Sequence, residues 1–417
     1  MTFQSLNSPE KTDFEWTYCT NVHPLHTLES WKKAIVFFGR ELKQQLGRES
    51  SSIPMGMWFN NAVARDILRG ADSWKLDKEH IQKHLGFLME EGISTFTLNS
   101  FPFGNFQQNV VKTEVYKPDW TDPSRLEYTV NCARILSYVM GERILGTLST
   151  VPLGWKQNWS QEKTQEAAKN LLHCVVQLQK MREERGKILQ LCIEAEPGCA
   201  IENTQETVDF WEKVLRPLAK EHGISEEVLK AHCGVCYDTC HQAVQFEDGV
   251  EALKILQNMD IPVGKMQLSN ALEFLPDANM ETLGIRQQFV EERFLHQTRI
   301  WDEDSRNVMG YNDLPEALLD CVQHSDRWNM PWRVHYHLPL FAHEMLAERG
   351  LSTTVEEMKK ALGYALEQKL CTHFEVETYT WNILPEPWKP SNDVELAKNI
   401  AKEMKMVMGF AKNHVKN

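Results

Sequence analysis

The sequence has no apolar run approaching the ~20 residues that a membrane-spanning helix needs. Its opening stretch, MTFQSLNSPEKTDFEW, has no basic start followed by an apolar core. Secretion and membrane anchoring are therefore not expected, and the cytoplasm is. Clustered Lys and Arg are missing too, since 45 basic against 58 acidic residues leave a formal charge of −13. Phosphate backbones are held by concentrated cations that this balance does not supply, so nucleic acid is not an expected partner. No Gly-rich phosphate fingerprint follows the first apolar strand, which weighs against an open dinucleotide-binding sheet. The ten cysteines form no disulfide-like framework, and Cys19, Cys192, Cys236 and Cys371 sit inside strand-like runs. There a free thiol packs as a small apolar residue. A C-x-x-C occurs among Cys233, Cys236 and Cys240, but no fourth ligand stands at zinc-site spacing.

What is present is a soluble globular composition, 42% hydrophobic and 25% charged over 417 residues. Short apolar runs alternate with amphipathic helical patterns throughout. Strands are expected at 18–24, 54–60, 95–104, 144–154, 188–198, 234–241, 263–270, 333–341 and 373–381. Helices are expected at 28–46, 77–91, 124–140, 161–185, 204–221, 249–258 and 354–368. Repeated strand-helix-strand units imply parallel strands with right-handed crossovers, and eight of them close into a (β/α)8 TIM barrel. Nine strand candidates compete for eight places. The irregular stretch 271–330 holds FLHQTRIWDEDSRNVMGYND, which reads as a hairpin insertion near the barrel mouth, followed by a short helix at 315–324. RVHYHLPLF then becomes an extra strand beside the mouth. No linker or repeat divides 1–417, so one barrel domain is expected.

In a parallel barrel the reactive groups gather at the C-terminal strand ends. CIEAEP places Glu194 and Glu196 there, CYDTCH places Asp238 and His241, KMQLSN places Gln267, and HFEVETYTW places Glu375 and Glu377. Strand side chains alternate with period two, so each Glu doublet shares one face. A doublet pointing inward repels itself unless a cation or protons compensate. A divalent ion answers that need, as does pairing of one Glu with a barrel cation such as Lys265 or Arg333. Oxygen-rich ligands suit Mg²⁺ or Mn²⁺, and Zn²⁺ fits if His241 or another His coordinates. The expected ion ligands are Glu194, Asp238, His241, Gln267 and Glu377, and the expected proton-transfer groups are Glu194, Glu196, Glu375, Glu377 and His241.

Asn21, His23, Asn60, Asn99 and Thr150 fall where they can face the mouth and bind hydroxyls, or serve as turn and cap residues. His335 and His337 share one face of their strand, with His343 beyond, and can bind substrate or ligate metal. His296 is a weaker candidate. The segment YKPDW, 116–120, is expected as a lid or pocket wall, or as an ordinary surface turn.

The order of Glu after strand five, D-T-x-H after strand six, a polar residue on strand seven and Glu on strand eight resembles the xylose isomerase-like barrels. The segments YCTNVHP, STVPLG, EAEP, GVCYDTCHQAVQFED, KMQLSNAL, VHYHLPLF and FEVETYTW more closely resemble the EboE-type metabolite traffic proteins. What the resemblance implies is a metal-dependent sugar isomerase- or epimerase-like barrel serving secondary-metabolite biosynthesis or traffic. By position, Glu194, Asp238 and Glu375 or Glu377 match the superfamily's metal carboxylates and His241 its strand-six histidine. Gln267 stands where a ligating His is common, so His335 or His337 is left to supply the missing nitrogen. The expected chemistry is proton transfer next to a carbonyl of a polyhydroxylated or cyclitol-type metabolite. A metal-dependent phosphodiesterase and a non-catalytic metabolite-binding barrel are the alternatives.

Overall fold

The computed structural model describes residues 14–49, 51–69, 78–276 and 280–415. Its strands are β1 (Glu15–Tyr18), β2 (Ile53–Pro54), β3 (Ile93–Ser94), β4 (Thr97–Asn99), β5 (Leu145–Thr150), β6 (Ile188–Ile193) and β7 (Cys233–Asp238). They continue with β8 (Val263–Leu268), β9 (Asn270–Phe274), β10 (Thr298–Asp302), β11 (Asn307–Tyr311), β12 (Trp332–Leu338), β13 (Ser352–Thr353) and β14 (His373–Val376). Seven of them form one parallel, curled sheet in the order β1-β14-β8-β7-β6-β5-β4. Helices connect its successive strands, as the alternating pattern of the sequence dictates, and the fold is α/β.

The sheet's two edges, β1 and β4, approach the same short segment. Gly56 N–H donates to the Tyr18 carbonyl at 2.9 Å and the Gly56 carbonyl accepts from Thr20 N–H at 2.9 Å. Met57 N–H donates to the Thr97 carbonyl at 3.1 Å and its carbonyl accepts from Asn99 N–H at 2.8 Å. This segment continues β2, which pairs in parallel with β3. Its passage needs glycine, because a Cβ on Gly56 would overlap Glu375 Oε1 and sit 2.9 Å from the Tyr18 carbonyl.

A second, antiparallel sheet runs in the order β11-β10-β12-β9-β13. It contains the anticipated hairpin, β10 with β11, and places RVHYHLPLF in it as β12. The expected helix at 315–324 is observed as Leu314–Gln323. β9 and β13 were not legible in the sequence, and the long helix Asp393–Val415, which packs on the helix Leu28–Gln45, was not among the expected helices. Trp332, Val334 and Tyr336 bury one side of β12, while His335 and His337 leave on the other, toward the C-terminal ends of the parallel strands. The expected helix 204–221 is helical throughout but passes through a wider turn at Trp211–Leu215. Among the described residues no helix is long and apolar enough to cross a membrane.

Candidate metal and substrate site

Three inward positions along β14 and just past its end show why the two members of a Glu doublet differ. His373, Glu375 and Glu377 follow at i, i+2 and i+4, so they climb the interior in steps. His373 lies lowest, against the Thr147 hydroxyl at 2.9 Å. Glu375 comes next and is bound by Lys265 Nζ at 2.5 Å, both side chains buried. Glu377 stands above them, where its Oε1 accepts from the amide nitrogens of Asn21 at 2.9 Å and Asn99 at 2.7 Å. The expected pairing with a barrel lysine therefore holds for Glu375.

Glu377 forms with Glu194 and Asp238 a group of buried carboxylates whose oxygens all lie within 4.8 Å of one another. Asp238 ends β7 and caps the helix Thr239–Val244, its Oδ1 accepting from Cys240 N–H at 2.8 Å and His241 N–H at 2.9 Å. That cap swings His241 back over the strand ends. Asp238 Oδ2 and Glu194 Oε2 are buried without a hydrogen-bond partner. Burial and the mutual repulsion of these acids hold Glu194 and Glu377 well above the usual carboxylate range. Asp238 is raised by burial as well, against the pull of His337 and its two backbone donors.

Over the carboxylates three imidazoles meet. Nε2 of His337 lies 2.9 Å from Nε2 of His335 and 3.1 Å from Nε2 of His241, and the last two are 3.1 Å apart. Their other nitrogens fix the tautomers. His241 Nδ1 faces the Ala195 carbonyl at 3.1 Å, and His337 Nδ1 faces the Glu377 carbonyl at 2.9 Å. A carbonyl only accepts, so both Nδ1 atoms carry the hydrogen. His335 Nδ1 faces Gln297 Oε1 at 2.6 Å, and that amide is oriented by its own nitrogen, which donates to the Pro197 carbonyl at 2.8 Å. Burial keeps the rings neutral, pulling His241 down to about 3, His337 to about 4 and His335 well below its ordinary value. Three Nε2 lone pairs thus point at one another, and the Tyr379 hydroxyl lies 3.4 Å from His335 Nε2.

Lone pairs at this separation repel unless a cation lies among them. Three ligands on one face of a tetrahedral or octahedral ion, at bonds near 2.1 Å, stand about 3.0–3.4 Å apart, so the spacing fits a divalent metal. The unpartnered oxygens of Asp238 and Glu194 add the anionic ligands such an ion wants. Glu196, two residues past Glu194, also comes within 4.8 Å of His241 and His335, and its Oε1 accepts from the Tyr116 hydroxyl at 2.7 Å and from Gln297 Nε2 at 3.4 Å. Burial pushes its carboxyl up to about 8, against the pull of those two donors.

The remaining expected residues fall elsewhere. Gln267 is buried, its Oε1 accepting from the Cys236 thiol at 3.1 Å and its Nε2 without a hydrogen-bond partner. The next inward residue of that strand end, Ser269, contacts His337 Nδ1 through its hydroxyl at 3.0 Å and so helps seat an imidazole from the second sheet. His23 is closed into the core, 3.0 Å from the Tyr18 hydroxyl and stacked on Phe38 at 3.7 Å. Asn60 caps the helix Asn61–Leu68, and the Thr150 hydroxyl accepts from Trp120 Nε1 at 3.1 Å. His296 bonds the His335 carbonyl and Glu291, both at 2.8 Å. His343 does not line the pocket. Cys240 can join His335 and His337, but among the described residues no metal-competent group holds two cysteines.

Of 116–120, Tyr116 does form pocket wall, while Trp120 is core. Gln297 and Tyr379 were missed in the sequence. Tyr379 carried a signal, an aromatic two residues beyond a strand-end Glu, whereas nothing in FLHQTR distinguishes Gln297. A pocket opens above the site, lined on one side by Glu194, Glu196, His241 and His335 and on the other by Phe106 and Phe294.

No protein-family model matches the chain, and no curated protein does. Solved structures do. A xylose isomerase-like TIM barrel protein from Mycobacterium smegmatis, in complex with magnesium, is similar over 96% of this chain and 98% of its own, at 12% identity and a TM-score of 0.50. The IOLI protein with a bound zinc atom aligns over 94% and 98%, at 12% identity and a TM-score of 0.39. A 3-keto-D-glucoside 4-epimerase from E. coli aligns over 61% and 79%, at 12% identity and a TM-score of 0.34. The first likeness is one of fold, that of the xylose isomerase-like barrels.

Proposed function

We propose that this chain is a metal-dependent sugar isomerase- or epimerase-like protein of the EboE type, built as one closed (β/α)8 barrel with the second sheet inserted at its mouth. The observation that carries the reading is the meeting of three imidazole lone pairs above three buried carboxylates, two of which have an unpartnered oxygen. Glu194, Asp238 and Glu377 with His241, His335 and His337 would hold the ion, and so many imidazoles favour zinc or manganese over magnesium. When bound, the ion would supply Lewis-acid polarisation of a carbonyl and its neighbouring hydroxyl.

The chain's own groups divide the remaining work. Glu196 lies in the pocket lining beside the ligands without belonging to the carboxylate triad, and its bonds to Tyr116 and Gln297 fix its orientation. It takes a proton from the carbon next to the carbonyl and returns it to the former carbonyl carbon, while the neighbouring hydroxyl's proton passes to the former carbonyl oxygen. Asn21 and Asn99 hold Glu377 in place. The aromatic wall around them excludes water. Gln267, a neutral amide where a ligating His is common, favours a second reading, a barrel that binds and hands on a metabolite without turning it over.

Elemental analysis of purified protein tests the proposal. At least one divalent ion per chain is expected, lost in Asp238→Asn with the fold intact; a variant that keeps its full complement would sink the ligand role. Uptake of solvent deuterium into a bound ketose or cyclitol ketone separates catalysis from carriage.

A further inference from the structure

The polar floor is only half of the pocket. Phe106, Phe294 and Tyr379 form a trio of rings with centroids 4.9, 5.0 and 5.1 Å apart. Tyr379 continues down onto His337 at 4.5 Å, so the apolar wall begins where the imidazoles end. Phe101, Val115 and Leu295 extend it.

The polar groups that border this wall are spent on the protein itself. Lys112 reaches the lining, but its three N–H groups are taken by the Phe294 carbonyl at 2.7 Å, the Glu291 carbonyl at 3.1 Å and Asp313 Oδ2 at 2.7 Å. The Tyr116 hydroxyl donates to Glu196 and accepts from Gln297 at 2.8 Å. Arg293 donates from Nη1 to Gln107 Oε1 at 3.2 Å, its Nε is buried without a partner, and it is not part of the lining. Among the described residues, then, the pocket wall has no cation left for an anionic substrate group. A phosphate placed there would lose its hydration without a donor to replace it, close to Glu194, Glu196 and Glu377. An apolar or aromatic group would exchange water for ring contacts.

We infer that this pocket takes an uncharged substrate whose vicinal oxygens lie on the polar floor and whose far end is apolar or aromatic, and that it rejects phosphorylated sugars. The inference rests on the metal-site reading above and gives that site its substrate class.

Three vicinal diols that differ only at the far end test it: glycerol, glycerol 3-phosphate and 1-phenyl-1,2-ethanediol. Their dissociation constants are measured by calorimetry on protein reconstituted with zinc, and metal content is read on the same samples. The phenyl diol is expected to bind at least tenfold tighter than glycerol, and the phosphate ester no tighter than glycerol. Phe106→Leu and Phe294→Leu remove one ring while keeping apolar volume. Each is expected to cut the phenyl advantage severalfold with metal content unchanged. A phosphate ester that binds tightest, or a phenyl diol with no advantage or no binding on metal-loaded protein, overturns the inference and leaves the metal site standing. Protein that takes up no metal overturns the metal site itself.

Discussion

Replacing Lys265 by Met leaves Glu375 alone in the interior. The pair meets at 2.5 Å with side-chain exposures of 0% and 1%, so neither charge reaches solvent. Taking one partner from such a pair costs about 3–5 kcal/mol, chiefly because the remaining charge is buried uncompensated. At a urea slope of about 3 kcal/mol/M the unfolding midpoint should fall by about 1 M or more. Adding Glu375→Gln removes the stranded charge at nearly constant volume, so the double variant should recover most of the loss. The two singles and the double form a cycle whose coupling measures the pair. Metal content is the second readout. Glu375 joins none of the metal-competent groups, so Glu375→Gln should retain the ion in full. A double variant no more stable than Lys265→Met would refute the charge-pairing argument. Metal loss in Glu375→Gln would refute the division of labour between Glu375 and Glu377.

Glu403 gives a pH prediction away from the site. Burial lifts its carboxyl from 4.5 to about 7, although it accepts from the Thr378 hydroxyl at 2.7 Å and Leu340 N–H at 3.0 Å. Between those values the folded chain holds a proton that the unfolded chain has shed, so this acid's contribution to stability falls as pH rises from 4.5 to 7 and is flat above. Glu403→Gln stays neutral, and its stability relative to wild type should grow by up to about 3 kcal/mol across that window, read from urea midpoints at pH 4.5, 6 and 8. A difference constant with pH would show that the group does not titrate there. Gly56→Ala should cost about 3 kcal/mol, because the new methyl overlaps Glu375 Oε1 where the chain crosses between β1 and β4. An unchanged urea midpoint would mean that this crossing has room to widen.

The parallel strands were legible because their signal is local. Runs such as ILQLCI and GVCY are mostly apolar and lead directly into acids, Glu194 and Asp238, and the helix between Gln161 and Arg185 was readable to both its ends. The carboxylates were legible for the same reason, being tied to strand ends by period two. The imidazole cluster was not. His335 and His337 reach His241 across 94 and 96 residues, and no local pattern encodes that distance. The choice between Glu375 and Glu377 also depended on a partner elsewhere, since Lys265 lies on β8 and decides which acid is neutralised within the protein. Gln267 shares a strand face with the site, and one inward step beyond it Ser269 contacts the His337 imidazole, a pairing that no local pattern announces. The helix Asp393–Val415 was overlooked although DVELAKNIAKEMKMVMGFAKNHV carries apolar residues at helical spacing.

The two layers that meet at the three imidazoles are joined by contacts between distant parts of the chain. His241 is set by its own strand and cap, whereas His335 and His337 arrive only when β12 has paired in the antiparallel sheet and that sheet has docked. Contacts of such separation tend to form late, since their loop-closure entropy is offset only once both sides are built. Metal uptake should therefore lag behind the recovery of helix signal during refolding. An ion retained at full stoichiometry would then serve as a reporter that the last docking step is complete.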